Sequence, residues 1–411
     1  MRTFSAYDSS CWLEAKLYAK KEQPLRYSET KETDMLEELK QNEFSRVLPL
    51  FRGLDYCLSF RATIEGNNPG RIFVDNTDNP RTALALTVGG HLLAGDHNNQ
   101  KTNEDLRSFI AEQIFTGQVH VKSSRSMFLT LHPEVWEAKL QELIPTHDII
   151  RRKRYHYACN RVAFDWRSNV PAGYRVCRID RALLDDTRIV FPDSIRTWMN
   201  INEQWGTVEN FLEKGISFCV LRGHEVVSWC TPDCAANRQI EVGIITHPEH
   251  RRKGLATVSV AATAEYCLSH GFYAVGWHCN ELNTGSWKTA EKVGFNRDRE
   301  YTEYFYTYDL VQHLGELAWH HFQRKDYEKS VHYFEQLFKQ QEGHANDTYH
   351  VAAEAWAALK NKDKTLTYLR AAAEHGWKYL EYTKRVEAFS IVHDTSEWKA
   401  ILARMMTNAQ G

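Results

Sequence analysis

Apolar positions along the chain follow two regimes that change over near residue 310: up to there strand-length runs are interleaved with helical spacing, and beyond it the spacing is helical throughout. In the first stretch, Leu36 and Leu39 read as helix-like, and apolar residues continue from Phe44 to Phe51. Ile72-Phe73-Val74-Asp75 and 83–88 read as strands. Leu106, Phe109, Ile110 and Ile114 recur at helical spacing, with Thr102 or Asn103 placed to cap the start. Residues 127–131 make another strand, followed by a helix through Val135, Trp136, Leu140 and Leu143.

From about 156 a similar order recurs. The pattern predicts a helix over 194–205, then strands over 218–222 and 225–229, joined through Gly223-His224 as a tight hairpin. A strand over 240–246, a helix over 254–269 and a strand over 273–278 follow. A short helix over 287–293 then precedes aromatic-rich strands over 295–310. Beyond 311, Leu314, Leu317, Ala318 and Phe322 share a helix face, as do Tyr327, Val331, Phe334 and Leu337. Ala353, Trp356, Ala357 and Leu359 come next, then Leu366, Leu369, Ala372 and Ala373, and finally a helix with Trp398, Ile401 and Leu402.

The expected fold class is α+β (α/β): a mixed sheet built from a duplicated unit whose first copy has diverged, then an all-α domain of helical hairpins. The expected domains are 1–155, 156–310 and 311–411, a division that suits a chain of 411 residues.

Composition narrows the partners. Apolar residues make 43% and charged ones 25%, as in soluble globular proteins, and the net charge of −2 gives no field to draw nucleic acid or an anionic membrane. No run approaches the length of a membrane span, and residues 1–20 have no apolar core of a signal peptide. Nine scattered cysteines, an odd number, read as free thiols of a reducing cytoplasm. Cys230 and Cys234 flank a Thr-Pro-Asp turn without a second pair at metal spacing, so no metal is expected. The run Arg151-Arg152-Lys153-Arg154 reads as a solvated loop or strand end at a domain junction.

The segment that carries chemistry runs from Glu241 to Thr257. An apolar strand ends at Thr246, His247-Pro248 turns the chain, and Arg251-x-x-Gly254-x-Ala256 opens a helix. The first amides of a helix lack intrahelical partners and sit at the positive end of its dipole, so a diphosphate satisfies them. Gly254 and Ala256 let phosphate oxygens approach the backbone, while Arg251, Arg252 and Lys253 add positive charge.

Arg251-x-x-Gly254-x-Ala256 resembles the Arg/Gln-x-x-Gly-x-Gly/Ala signature of the GNAT superfamily of N-acetyltransferases. Asn283-Thr284-Gly285-Ser286 through Lys292-Val293-Gly294-Phe295 resembles its second signature. More narrowly, Glu241-Val242-Gly243-Ile244, Arg251 to Thr257 and Trp277-His278-Cys279 resemble the branch that includes the zwittermicin A resistance acetyltransferases. Two tandem GNAT-like units are then implied, the first degenerate, since no such signature precedes residue 156. The resemblance implies acetyl-coenzyme A as co-substrate. The backbone of Ile244, Ile245 and Thr246 would pair with the pantetheine arm, and Arg252, Lys253, Gly254, Leu255, Ala256 and Thr257 would cradle the diphosphate. Asn283 and Ser286 would touch the coenzyme near its phosphates or arm. Two strands would splay after Thr246 and around His278 to admit the thioester. The C-terminal region resembles two degenerate tetratricopeptide hairpins; a helical cap without a partner is the alternative.

An amine must be neutral to attack a thioester, so a base has to accept its proton. Glu241, where many relatives place a glutamate base, and His278 are the candidates, each with a plain structural alternative as a strand-end carboxylate or a hydrogen-bonded histidine. The tyrosine acid of many relatives corresponds to Ala290, which leaves Tyr304, Tyr301 or Tyr306 to protonate the thiolate, or solvent. Trp229, Trp277 and the tyrosines, with the helix over 194–205, are the expected walls of an acceptor pocket. A small-molecule amine is the expected acceptor, and residues 311–411 are a candidate surface for a protein partner. The competing readings are a silent coenzyme A binding scaffold and a protein acetyltransferase that recruits its target through the C-terminal helices.

Overall fold

The computed structural model describes residues 36–193, 195, 200–341 and 343–410. Cys11 and part of the predicted helix over 194–205 lie outside them; within that stretch the described helix is Ile201–Trp205. The described chain divides into two compact units, one of residues 36–144 and 151–305, the other of 145–150 and 306–410.

The strands are β1 (Glu37–Glu38), β2 (Gly70–Val74), β3 (Thr82–Thr87), β4 (Gly90–Gly95), β5 (Ser126–His132), β6 (Ile150–Cys159), β7 (Tyr174–Arg178), β8 (Phe218–Arg222), β9 (Glu225–Ala236), β10 (Gln239–Thr246), β11 (Ala274–Asn280) and β12 (Asn296–Thr307). They form one mixed sheet in the order β1-β2-β3-β4-β5-β12-β6-β11-β10-β9-β8-β7. The longer helices are α1 (Leu58–Ile64), α2 (Gln100–Phe109), α3 (Val208–Lys214), α4 (Leu255–Ser269), α5 (Thr284–Val293), α6 (Leu310–Gln323), α7 (Tyr327–Gln340), α8 (Asn346–Ala358), α9 (Lys362–Glu374) and α10 (Ser396–Gln410). The mixed sheet followed by a helical region is the expected fold class.

The repeated order is visible in the pairing. In the first half β2, β3 and β4 are antiparallel neighbours, and β4 pairs parallel with β5 after α2. In the second half β8, β9 and β10 are antiparallel, and β10 pairs parallel with β11 after α4. The first-half crossover is closed. Its helix α2 is capped by Asn99, whose side chain accepts from the Thr102 amide, and β4 and β5 stay paired from His91/Leu129 to Ala94/His132. Thr102 and Asn103, expected as caps, are buried inside the helix, because the Asx turn begins three residues earlier.

Three other expectations change, and a fourth gains partners. Leu36 and Leu39 flank strand β1 instead of lying in a helix, since Glu37 and Glu38 pair with Val74 and Phe73. The Thr-Pro-Asp segment is the second half of β9, where Pro232 sits at a bulge that shifts the register between Glu241 and Val242. The Arg151–Arg154 run, expected as a solvated loop or strand end, lies at the start of β6, with Arg151 and Lys153 exposed and paired to Glu137 and Glu300, and Arg154 paired to Glu303. The residues after 295 form one long strand, β12, in place of several. Strand β6 runs through positions 155 and 156, and β7 lies in a stretch where no strand is expected.

The larger core of the second half joins Tyr157, Trp205, Phe211, Trp229, Ile240, Val260, Trp277 and Phe295. Trp229 and Trp277 are therefore core residues, and burial of such rings contributes about 1.5–3 kcal/mol each or more. The halves meet where Leu58 and Ala62 of α1 pack on Cys234 and Ala236 of β9. Buried Asn68 ties the same seam, donating to the backbone oxygens of Gln204 and Asp233.

In the helical unit, Leu314, Leu317 and Ala318 of α6 and Val331, Phe334 and Leu337 of α7 turn inward, followed by Ala353 of α8 and Leu369, Ala372 and Ala373 of α9. Asp309, Asp326 and Asn361 cap α6, α7 and α9 with their side chains.

Candidate active site

Strands β10 and β11 are hydrogen-bonded neighbours only at Gln239/Ala274, Ile240/Val275 and Glu241/Gly276. Past that point Ile244, Ile245 and Thr246 keep their β9 partners, Cys230, Trp229 and Ser228. Their other edge faces the mouth of a split between the strands, a geometry suited to an extended ligand with amides of its own. The bulge at Glu241/Val242 marks the apex of this split.

At the outer end of β10 the chain turns through Pro248–His250 into α4. Gly254 has φ +79° and Arg252 φ +64°, so both lie in the left-handed region, and for Arg252 that conformation is uncommon. A Cβ at Gly254 would meet nothing within 4 Å, so conformation, not crowding, favours glycine there. The first hydrogen bond of α4 runs from the Val258 amide to the Gly254 oxygen, and no side chain caps the helix. Leu255 and Val258 anchor its first turn against Val220 and Val227, and Thr257 is buried beside them. Arg251 Nε holds the Thr246 oxygen at 3.1 Å. Lys253 Nζ reaches the Glu249 oxygen and the Tyr174 hydroxyl. Arg252, Lys253 and Gly254 are exposed and Ala256 half-buried, so the turn presents amides and positive charge to solvent.

The apex holds the titratable groups. Glu241 is buried, and its Oε1 lies 2.8 Å from His278 Nε2. The Cys234 thiol donates to Glu241 Oε2 at 3.4 Å. The Tyr301 hydroxyl is 3.0 Å from His278 Nδ1, and the Tyr56 carbonyl oxygen is 3.2 Å from His278 Nε2. Burial alone would raise the Glu241 pKa, but His278 and His156 beside it outweigh that and hold it below the usual carboxylate range. Burial pushes the Tyr301 phenol well above its usual value, so it stays protonated. His156 is pushed down by burial and then by His278, against the pull of Glu241 and Asp298.

The expected residues thus separate into groups. Ile244 to Thr246 line the split, and Arg251 to Thr257 form the open turn. Asn283 caps α5, its side chain accepting from the Ser286 amide, while Ser286 Oγ accepts from Trp277 Nε1 at 3.0 Å. Ala290 is fully buried in α5. Among the tyrosines, Tyr301 meets His278, whereas the Tyr304 hydroxyl donates to Glu137 Oε2 at 2.6 Å and Tyr306 stacks on His313. Residues three apart on a strand face opposite sides, which is why Tyr304 points away from the group that Tyr301 joins.

Sequence reasoning missed His156, Tyr56 and Asp298. His156 is the direct cross-strand partner of His278, with ring centroids 4.6 Å apart, and Asp298 Oδ1 is 2.6 Å from its Nδ1. The alternation Tyr155-His156-Tyr157 was the available signal of a strand here. Tyr56 comes from the first half, where the chain enters α1, and its ring lies 4.9 Å from that of Tyr301.

The described chain is an α/β protein whose parallel pair β10–β11 splits at a bulge and opens toward an uncapped helix start. The GNAT acetyltransferase family model matches residues 48–304, and the chain belongs to that family. It is 27% identical over 273 residues to the uncharacterized N-acetyltransferase YdfB of Bacillus subtilis strain 168, an alignment that covers 66% of this chain and 98% of that protein. The crystal structure of a GCN5-related N-acetyltransferase-like protein from Streptococcus suis 89/1591 is similar at 24% identity and a TM-score of 0.48, covering 64% of this chain and 97% of that one. A tandem GNAT protein from the clavulanic acid biosynthesis pathway is similar at 15% identity and a TM-score of 0.40, covering 67% of this chain and 99% of that one. Among the described residues no helix is long and apolar enough to cross a membrane.

Proposed function

We propose that the protein is an acetyl-coenzyme A dependent N-acetyltransferase that moves the acetyl group to the amine of a small molecule by direct attack on the thioester. The observation that carries this is the coincidence of the β10–β11 split with the Glu241–His278 pair at its apex and the open turn at its outer end. The amides of the first turn of α4, with Arg251, Arg252 and Lys253 around them, bind the diphosphate. The free edge of Ile244 to Thr246 orients the pantetheine arm so that the thioester reaches the apex.

There the neutral amine forms the new C–N bond, and its proton passes to Glu241, directly or through His278. As the C–S bond breaks, its electron pair stays on sulfur. Of Tyr301, Tyr304 and Tyr306, Tyr301, a protonated phenol held against His278, supplies the proton to the thiolate. A thiol of pKa ~8.5 leaves tolerably even without such help.

Turnover of acetyl-coenzyme A over a panel of amines tests this reading: the wild type should release free thiol, and Gly254→Glu should not. Ala290, buried where many relatives carry an acid, favours a second reading, a coenzyme A binding scaffold without chemistry. Tight coenzyme binding with no transfer to any amine would select it. Transfer that requires a protein held by residues 311–411 would instead select a protein acetyltransferase.

A further inference from the structure

His156, Glu241 and His278 offer three metal-ligating atoms that all lie within 4.8 Å of one another. Strand register brings them together. His156 and His278 are direct partners across β6 and β11. Glu241 pairs with Gly276, two residues before His278 and so on the same face of the sheet. Gly276 keeps the space between them open: a Cβ there would lie 2.9 Å from Glu241 Cγ and 3.4 Å from His156 Nε2.

Each of the three is also held from behind. Asp298 Oδ1 accepts from His156 Nδ1–H, which leaves a lone pair on Nε2, the nitrogen beside the space that a Gly276 Cβ would fill. His278 Nε2–H donates to Glu241 Oε1 and faces the Tyr56 carbonyl oxygen, so a metal at Nε2 requires the imidazole proton to sit on Nδ1, where the Tyr301 hydroxyl oxygen accepts it. The Cys234 thiol occupies Glu241 Oε2 and leaves Oε1 toward the two imidazoles. Metal-binding histidines have such outer partners almost without exception, and two imidazoles with one carboxylate suit zinc and its neighbours rather than calcium or magnesium.

We propose that His156 Nε2, Glu241 Oε1 and His278 Nε2 bind a divalent transition-metal ion of the zinc class, with a fourth position open to water or an amine. The ion takes the Glu241 Oε1 lone pair that accepts the amine proton during transfer, so metal occupancy and acetyl transfer exclude each other. Metal binding itself does not rest on the transferase reading, because it is measured without turnover.

The test uses the full chain, stripped by dialysis against a chelator and titrated with cobalt(II). One equivalent should bind, with the visible ligand-field bands of a four-coordinate nitrogen and oxygen site, and zinc should displace it. His156→Ala and Glu241→Gln should each weaken binding on the order of 100-fold or more, and Asp298→Asn, at a half-exposed carboxylate, about tenfold. Cooperative melting of each variant separates these effects from misfolding. Absence of saturable binding, binding unaltered by His156→Ala and Asp298→Asn, or a sulfur-to-cobalt charge-transfer band overturns the site. Undiminished acetyl-coenzyme A turnover with one zinc bound overturns the exclusion. A chain that binds cobalt as described but never turns over acetyl-coenzyme A keeps the site and counts against the transferase reading alone.

Discussion

Glu241 and Gly276 are the last two residues joined across β10 and β11, and a Cβ on Gly276 would lie 2.9 Å from the Glu241 Cγ. No real Cβ tolerates that approach, so Gly276→Ala must displace the carboxylate from the apex. The expected result is a fall in kcat with acetyl-coenzyme A affinity retained, because the open turn at Gly254 is untouched. Steady-state kinetics beside calorimetry with the coenzyme checks it; equal loss of both quantities would place Gly276 in coenzyme binding instead.

Replacing the carboxylate tests the base. Glu241→Gln keeps the shape and removes the charge that the two histidines stabilise. A positioned base contributes about 10²–10⁴-fold to rate, and a loss of that size is expected in kcat with coenzyme binding unchanged. Retention of wild-type kcat would reduce Glu241 to a structural carboxylate.

The segment from Gln239 to Ser269 was legible in the sequence because its signals are local. An apolar run, a His-Pro turn and a basic Gly-containing helix start sit side by side, and each has one physical reading. The two-fold order of elements was legible for the same reason. What was not legible depends on partners far along the chain. Arg151 to Arg154 do form a solvated strand end, but their pairing with Glu137, Glu300 and Glu303 comes from elements far along the chain. Pro232 looks like a turn until β10 supplies the bulge that accommodates it. His156 gains its place only from its register with His278, and Tyr56 only from the packing of α1 on β9.

His91 on β4 gives the first half a measurable pH dependence. Burial drives its imidazole pKa down to about 4, against a backbone hydrogen bond to Phe128 that works the other way. The unfolded chain titrates near ~6.5, so between pH ~6.5 and about 4 the unfolded state holds a proton that the native state lacks. Stability is therefore full above that window and falls as pH drops through it, by roughly 3 kcal/mol at most. Urea midpoints across the window should show this slope, and His91→Gln should flatten it. An unchanged slope in the variant would assign the loss to other groups.

Tyr301 and Tyr304 separate chemistry from packing on one strand. The Tyr301 hydroxyl meets His278 Nδ1, while that of Tyr304 meets Glu137 on the opposite side. Removing the first hydroxyl with Tyr301→Phe takes away both a hold on the imidazole and a proton source for the thiolate. A fall in kcat of about 10²-fold is expected, with coenzyme binding kept. The fall should shrink when the leaving thiol is more acidic than coenzyme A, since such a thiolate needs no proton. Tyr304→Phe instead strips one hydrogen bond from a carboxylate that Arg151 still pairs. It should lower stability by about 1 kcal/mol and leave kcat alone. If Tyr304→Phe slowed the reaction and Tyr301→Phe did not, the proton would have to arrive from the face of β12 opposite to the one that meets His278.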